Sequence, residues 1–168
     1  MQTSAVEDYL KAIYEIGRDH ERVTTSALAE YLEISPASAT SMIKKLAELK
    51  LITYERYRGV ELSEAGRKIA LEVIRHHRLV ELYLAEAMGV PWDRVHEEAE
   101  KWEHVLSEDL EDRMDEILGH PKVDPHGAPI PSRDGSINEI DKIALLSLNS
   151  GDQAVIAEVS DRDPELLR

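Results

Sequence analysis

His96, Glu100, Glu103 and His104 recur at i, i+4, i+7 and i+8, the spacing that lines side chains along one face of an α-helix. Any fold of this chain must accommodate that stripe. Two imidazoles and two carboxylates run where an amphipathic helix would carry its apolar seam. Burying them is costly unless something cationic neutralises them. A divalent metal is the simplest partner, because imidazole nitrogen and carboxylate oxygen are both metal ligands. His77 and Glu81 form a second i, i+4 pair nineteen residues earlier.

One such pair is weak evidence, since most helical histidines are ordinary core or surface residues. Two groups on neighbouring helices joined by a short turn carry more weight. Antiparallel packing would bring His77 and Glu81 near His96 and Glu100. His76 is expected to be a bland neighbour, because adjacent helical residues do not point at the same face. His20, His120 and His126 fall in loops and are expected to be solvated.

The chain lacks cysteine, which excludes disulfides, thiolate zinc sites and cysteine nucleophiles. There is no run of eighteen apolar residues to span a membrane, and the first residues, Met1 to Asp8, lack the basic flank and apolar stretch of a secretion signal. A cytoplasmic setting is the expectation. The net charge of −14 argues at first against a nucleic-acid partner. Its distribution weakens that argument: residues 76–168 hold 9 Lys/Arg against 22 Asp/Glu, whereas residues 44–75 hold 8 against 5. The acidity belongs to the part with the candidate ligands, and an earlier segment is locally basic.

Apolar residues at helical spacing predict a helix over 6–18, with Ser4 and Glu7 as a capping box. Thr24 to Ser26 cap a short helix over 27–32. Ser35 as N-cap and Pro36 at the first helical position start a longer one, to about Leu49. A short helix, a tight break and a longer capped helix make a helix-turn-helix. Alternating β-formers over 51–62, turning at Arg58-Gly59, predict the hairpin wing. Ser63 then caps a long helix to about Met88. Trp92 to about Leu106 and Asp109 to Leu118 are further helices. Residues 121–136 read as a loop, and 143–148 and 154–159 as two strands. The predicted class is mainly α: an N-terminal winged helix-turn-helix, an α-helical domain, and a short β segment at the C-terminus. The predicted boundaries are 1–72, 73–136 and 137–168.

In a winged helix-turn-helix the second helix enters the major groove of double-stranded DNA. Here its opening turns offer Ser38, Thr40 and Ser41 as short hydrogen-bonding groups, and Ala37 and Ala39 as contacts for thymine methyls. Lys44, Lys45, Arg56 and Arg58, with Arg67 beyond them, would lie near phosphates, which supply affinity rather than sequence choice. The helix start has no Arg or Asn suited to bidentate base contacts, so specificity is expected to rest partly on DNA shape. The bland alternative is a helical domain with ordinary caps and a surface hairpin.

Several segments together resemble the diphtheria toxin repressor family of metal-dependent regulators, over about residues 4–136. They are Val6-Glu7-Asp8-Tyr9-Leu10, the Pro36 helix, Tyr57-Arg58-Gly59, His77-Arg78-Leu79-Val80-Glu81, His96 through Glu108, and Pro125 through Pro131. The C-terminal segment resembles the opening of that family's SH3-like third domain. The resemblance implies a homodimer joined by helices after the wing, which binds an operator in double-stranded DNA to control metal-uptake genes. It implies a primary metal site from Asp8, Glu100, Glu103 and His104. It also implies an ancillary site from His77, Glu81 and His96, completed by Asp161, Asp163 or Glu165.

Iron-responsive members place Met and Cys where this chain has Asp8 and Glu100, whereas the manganese-responsive branch has Asp and Glu. Carboxylate-rich sites suit Mn(II). Mn(II) is therefore the expected cofactor and Fe(II) the alternative, with Zn(II), Co(II) or Cd(II) expected to substitute in vitro. Some manganese regulators also carry Glu three residues after the Asp. Lys11 stands there in this chain, which favours separate primary and ancillary sites. Neither a membrane partner nor a small-molecule substrate is expected. Two competing readings are a metal-independent winged-helix regulator and a dinuclear metal hydrolase. The second is disfavoured because His96-Glu97-Glu98-Ala99-Glu100 lacks the second histidine of H-E-x-x-H, so no enzyme activity is expected.

Overall fold

Hydroxyl caps punctuate the N-terminal helices. Thr24 Oγ1 accepts from the backbone N–H of Ala27 at 3.0 Å, and Ser35 Oγ accepts from that of Ser38 at 3.1 Å. Each satisfies a donor that the first helical turn leaves unpaired. In the computed structural model, which describes residues 3–20, 22–55, 58–138, 141–161, 165 and 167, these caps open α2 (Thr25–Tyr31) and α3 (Pro36–Glu48). They follow α1 (Ser4–Asp19). The expected capping box at Ser4 does not form. Thr3 is the N-cap, without a side-chain cap bond. The helix begins one residue too early for the Ser4 hydroxyl to face the free amides, and the Thr3 carbonyl takes the first bonds, from Val6 and Glu7.

β1 (Ile52–Glu55) and β2 (Gly59–Leu62) pair antiparallel, with Ile52 opposite Leu62 and Glu55 opposite Gly59. Val23 bridges to Val60 on the other side of β2. Gly59 is required there, because its φ is +94° and a Cβ would stand 2.7 Å from the Val23 carbonyl oxygen. Ser63 Oγ accepts from Gly66 N at 3.1 Å at the start of α4 (Glu64–Glu86). The chain forms two compact units, Met1–Ile74 and Arg75–Arg168. The first is built on Val6, Leu10, Ile13, Leu28, Ile43, Leu46, Val60 and Ile74, all buried in one apolar cluster.

The second unit contains the remainder of α4, α5 (Val95–Trp102) and α6 (Glu108–Ile117). Its apolar cluster of Val80, Leu84, Val95, Ala99 and Met114 is small. Much of the remaining interior is polar, as described below. The strands expected over 143–148 and 154–159 are not observed. Leu145–Ser147 forms a single 3-10 turn, and 154–159 forms no strand. Sequence alternation fits a pleated surface only where a neighbouring strand covers it. Here Leu146 is 98% and Val155 92% exposed. No helix among the described residues is long and apolar enough to cross a membrane.

Candidate metal centre and DNA-facing helix

The middle of α4 carries four consecutive polar residues, Arg75, His76, His77 and Arg78, and all four are buried, as is Glu81 one turn on. Burial of so many charged groups requires partners for each, and the loops and helices of the second unit provide them. His77 Nδ1 bonds to Glu103 Oε2. Its Nε2 lies 3.1 Å from His96 Nδ1 and 3.1 Å from Glu81 Oε1. His96 Nδ1 is in turn 3.3 Å from Glu81 Oε1 and 3.5 Å from Asp161 Oδ2. Glu100, half-exposed, lies 3.7 Å from His77 and 3.8 Å from His96. The expected approach of α4 and α5 is thus present at hydrogen-bond distances.

α5 is shorter than expected. It ends at Trp102, with Glu103 as its C-cap, and His104 lies on the following turn. The stripe nevertheless stays continuous, because Glu103 keeps helical angles and its N–H still bonds to the Ala99 carbonyl. His104 Nε2 is 3.4 Å from Glu103 Oε1. Asp8 is a half-buried residue of α1, in the first unit.

His126, expected to be solvated, is buried, and this corrects the sequence reading. The loop around it is folded by Asp124, whose Oδ1 accepts from the backbone N–H of His126 at 2.8 Å and of Ala128 at 2.9 Å. The imidazole stacks on Trp92, with ring centroids 5.5 Å apart, and its Nε2 bonds to the Trp92 carbonyl at 2.9 Å. Because that carbonyl can only accept, Nε2 carries the proton. In the neutral ring Nδ1 is then a bare lone pair. It points toward Glu81 Oε2, 3.9 Å away. His126 Nδ1, Glu81 Oε2 and Asp124 Oδ2 are all buried without a hydrogen-bond partner.

Two four-residue groups therefore meet at Glu81 and Asp161. One is His77, Glu81, His96 and Asp161, and the other is Glu81, Asp124, His126 and Asp161; in each, the potential ligand atoms lie within 4.8 Å of one another. His77, Glu100 and Glu103 form a third group on the same measure. The electrostatics match a site short of positive charge. Burial pushes the Glu81 carboxyl up, but hydrogen bonds from His77 and His96 outweigh it and hold the group at about 2. Burial lowers His96, yet Asp161 and Glu81 bring it up to about 10. Asp161 is held low against its own burial, chiefly by His96. Asp124 is pushed up to about 6 by burial and by the Glu81 charge. Three buried atoms without a hydrogen bond, one imidazole nitrogen and two carboxylate oxygens, suit a divalent cation better than any organic ligand. Of the candidate additions, Asp161 joins both groups, Glu165 joins neither, and Asp163 lies outside the described residues.

A separate network flanks this cluster. Arg75 bonds through Nε to Glu111 and through Nη1 to the Pro131 carbonyl at 2.9 Å. His76, far from bland, spans the Glu103 carbonyl at 3.1 Å and Glu111 Oε2 at 3.3 Å. Arg78 bonds to the Pro129 carbonyl and lies 3.8 Å from Asp124. These contacts tie the 124–131 loop to α4.

In the first unit, α3 buries Ala39, Ile43 and Leu46 and leaves Ala37, Ser38, Thr40, Ser41, Lys44 and Lys45 exposed. The Ser38 hydroxyl is shared with Ser35 at 2.8 Å, and Thr40 donates to the Pro36 carbonyl at 2.7 Å. Arg58, at the wing turn, is exposed beside Glu55. Arg56 lies outside the described residues.

Residues 1–60 match the model of the iron dependent repressor N-terminal DNA binding domain, and residues 63–132 match that of the iron dependent repressor metal binding and dimerisation domain. The chain belongs to this family. It is 38% identical over 125 residues to the iron-dependent repressor IdeR of Mycobacterium tuberculosis strain H37Rv, covering 74% of this chain and 54% of that protein. It is 33% identical over 128 residues to the diphtheria toxin repressor of Corynebacterium diphtheriae, covering 76% and 57% respectively. The chain thus spans about half the length of the curated relatives it matches. A solved manganese-dependent transcriptional repressor in complex with manganese is 40% identical and superposes with a TM-score of 0.91, covering 96% of this chain and 75% of that one. ScaR with bound Cd2+ is 34% identical with a TM-score of 0.84, covering 96% and 76%.

Proposed function

We propose that this chain is a divalent-metal-responsive transcriptional repressor that binds operator DNA as a homodimer, with Mn(II) as its activating ion and Fe(II) as the alternative. The observation that carries the reading is the convergence of Glu81 Oε2, Asp124 Oδ2 and His126 Nδ1, all buried and without a hydrogen bond, with Asp161 in the same group. His77, Glu81, His96 and Asp161 would hold a cation on one side, and Glu81, Asp124, His126 and Asp161 on the other. Asp8, Glu100, Glu103 and His104 are the ligands we assign to the primary site, on the strength of the family match.

The donor set is entirely oxygen and nitrogen, in a chain with no cysteine. That disfavours soft-metal selectivity and suits Mn(II), although Zn(II) would bind a comparable nitrogen and oxygen site more tightly, so choice of ion rests on geometry and supply. Family membership supports metal-dependent DNA binding, and the manganese-bound structural relative supports the finer assignment.

A bound cation would supply neutralisation of convergent carboxylates. Without it, Glu81, Asp124 and Asp161 repel one another across a buried space, and His96 stays protonated between Glu81 and Asp161. Ligation requires His96 to release that proton. The exposed start of α3 would read the major groove, with Lys44, Lys45, Arg56 and Arg58 on phosphates. If one arrangement of the dimer fits successive grooves and cation binding favours it, the two ligands assist each other equally, typically by about 1–3 kcal/mol. The test is a mobility-shift titration, under anaerobic conditions, on duplexes selected from a random pool with Mn(II), Fe(II) or Zn(II). Affinity should rise with Mn(II) and fall with chelator; equal affinity in both would reject the reading.

A further inference from the structure

We propose that Gly127 is a positioning residue: it seats the segment 157–161 on the His126 loop and so holds Asp161 against Glu81 and His96. The inference rests on the metal reading above and concerns how the chain builds that site. Gly127 has a φ of +89°, and an added Cβ would stand 2.0 Å from the Ala157 carbonyl oxygen, 3.0 Å from its carbon and 3.1 Å from the Glu158 Cα. Side chains do not approach backbone so closely, so only glycine permits this crossing. Next to it, the Val159 N–H donates to the His126 carbonyl at 3.0 Å. Two residues on, the Asp161 carboxylate lies 3.5 Å from His96 Nδ1.

Apolar packing on the segment is sparse. Ala157 is exposed and Val159 only half-buried, the preceding Val155 and Ile156 are 92% and 76% exposed, and no strand ladder among the described residues includes the segment. Glu158 pairs with Lys142 on the same tail, which stiffens the tail without fixing it to the loop. Among the described residues, its backbone is attached by the crossing at Gly127 and the Val159–His126 bond. The loop beneath is itself rigid, because Asp124 Oδ1 takes two of its amides. One loop therefore does two things: it presents Asp124 and His126, and through Gly127 it delivers Asp161 from far along the chain.

The experiment uses the full chain and Mn(II), with free ion counted by its electron paramagnetic resonance signal and hydrogen exchange read at the Val159 amide. Gly127→Ala should weaken Mn(II) binding by about 10- to 100-fold, the range for residues that orient ligands. Asp161→Asn, which removes a ligand shared by both groups, should weaken it at least as much, and the double variant should be no weaker than Asp161→Asn alone, since Gly127 acts through Asp161. Exchange at Val159 should accelerate in Gly127→Ala. Gly151→Ala, with a φ of +99° but open space around it, should leave Mn(II) binding unchanged. If Gly127→Ala does not fold, Val159→Pro, which deletes the donor to His126, should weaken Mn(II) binding in its place. Wild-type affinity in a folded Gly127→Ala or in Val159→Pro, with Asp161→Asn weakened, would overturn the proposal while sparing the metal reading. Wild-type affinity in Asp161→Asn would overturn both.

Discussion

His126 Nδ1 lies 3.9 Å from Glu81 Oε2, and neither atom makes a hydrogen bond. Buried polar atoms left without hydrogen bonds are unfavourable. The other oxygen of Glu81 faces His77 and His96, so one carboxylate serves both four-residue groups.

Glu81→Gln should therefore impair both groups at once, whereas His126→Ala should impair one. Calorimetric titration with Mn(II) should show a larger loss for Glu81→Gln, at least about 100-fold if ligands exceed the roughly 10–100-fold of their supporting residues. Thermal stabilisation by Mn(II) should follow: an ion at a hundred times its Kd adds about 2.7 kcal/mol, and the total increment should shrink in Glu81→Gln to what the primary site supplies. An undiminished Mn(II) shift in that variant would remove Glu81 from the ligand set.

Glu111 sets an acid limit on stability. Burial pushes its carboxyl up, but His76 and Arg75 outweigh this and hold it at about 2. A carboxyl whose folded value lies below its unfolded value of roughly 4.3 stabilises the fold fully above that pH, and the contribution is lost as pH falls toward the folded value. Stability should thus drop between about pH 5 and pH 2, and Glu111→Gln should flatten that drop. The same variant should cost roughly 1.5–3 kcal/mol at neutral pH, because Arg75 would lose one charge-assisted hydrogen bond and keep Asp115, at 3.3 Å, and the Pro131 carbonyl. Urea midpoints measured across pH would test both, and an unchanged pH slope in Glu111→Gln would contradict the assignment.

Gly66→Ala sets two effects against each other. Alanine is the better helix former by about 1 kcal/mol, and Gly66 lies in the first turns of α4. A Cβ there would stand 2.0 Å from the Leu51 carbonyl oxygen, which already accepts from Ser63 N at 2.9 Å. That oxygen is backbone and cannot swing away, so the clash dominates. A net loss of at least about 2 kcal/mol is expected, within the range for overpacked sites. Equilibrium denaturation decides it, and a stabilised variant would show that the α4 start can shift.

The elements of the first unit were legible because caps, a proline and a glycine turn each act over a few residues. Thr24, Ser35 and Ser63 all accept the amide expected of a cap. Ser4 failed because a one-residue shift of a helix start leaves no trace in apolar periodicity. The His77/Glu81/His96 group was legible from spacing on two helices. His126 and His76 were not, since their burial depends on contacts far along the chain: Trp92 and Glu81 for one, Glu103 and Glu111 for the other. Asp124, two residues before His126 in a loop, was the available signal, because an aspartate that takes local amides rigidifies a loop. The strands expected over 143–148 and 154–159 do not form, because alternation speaks to a pleated surface, not to the existence of a partner strand.

The residues we assign to DNA give a prediction that needs no operator sequence. Lys44, Lys45 and Arg58 are exposed, and we assign them to phosphates. Each alanine substitution should weaken binding about equally on all duplexes and reduce the slope of log affinity against log salt by roughly 1. Ser41→Ala should behave differently. The Ser38 and Thr40 hydroxyls already have partners within the helix, so Ser41 is the hydroxyl of the three best placed to report base edges. Its loss should change preference among duplexes at nearly constant salt slope. Fluorescence anisotropy across salt concentrations separates the two behaviours. If Lys44→Ala, Lys45→Ala and Arg58→Ala all keep the wild-type slope, α3 and the wing do not form the DNA-binding face.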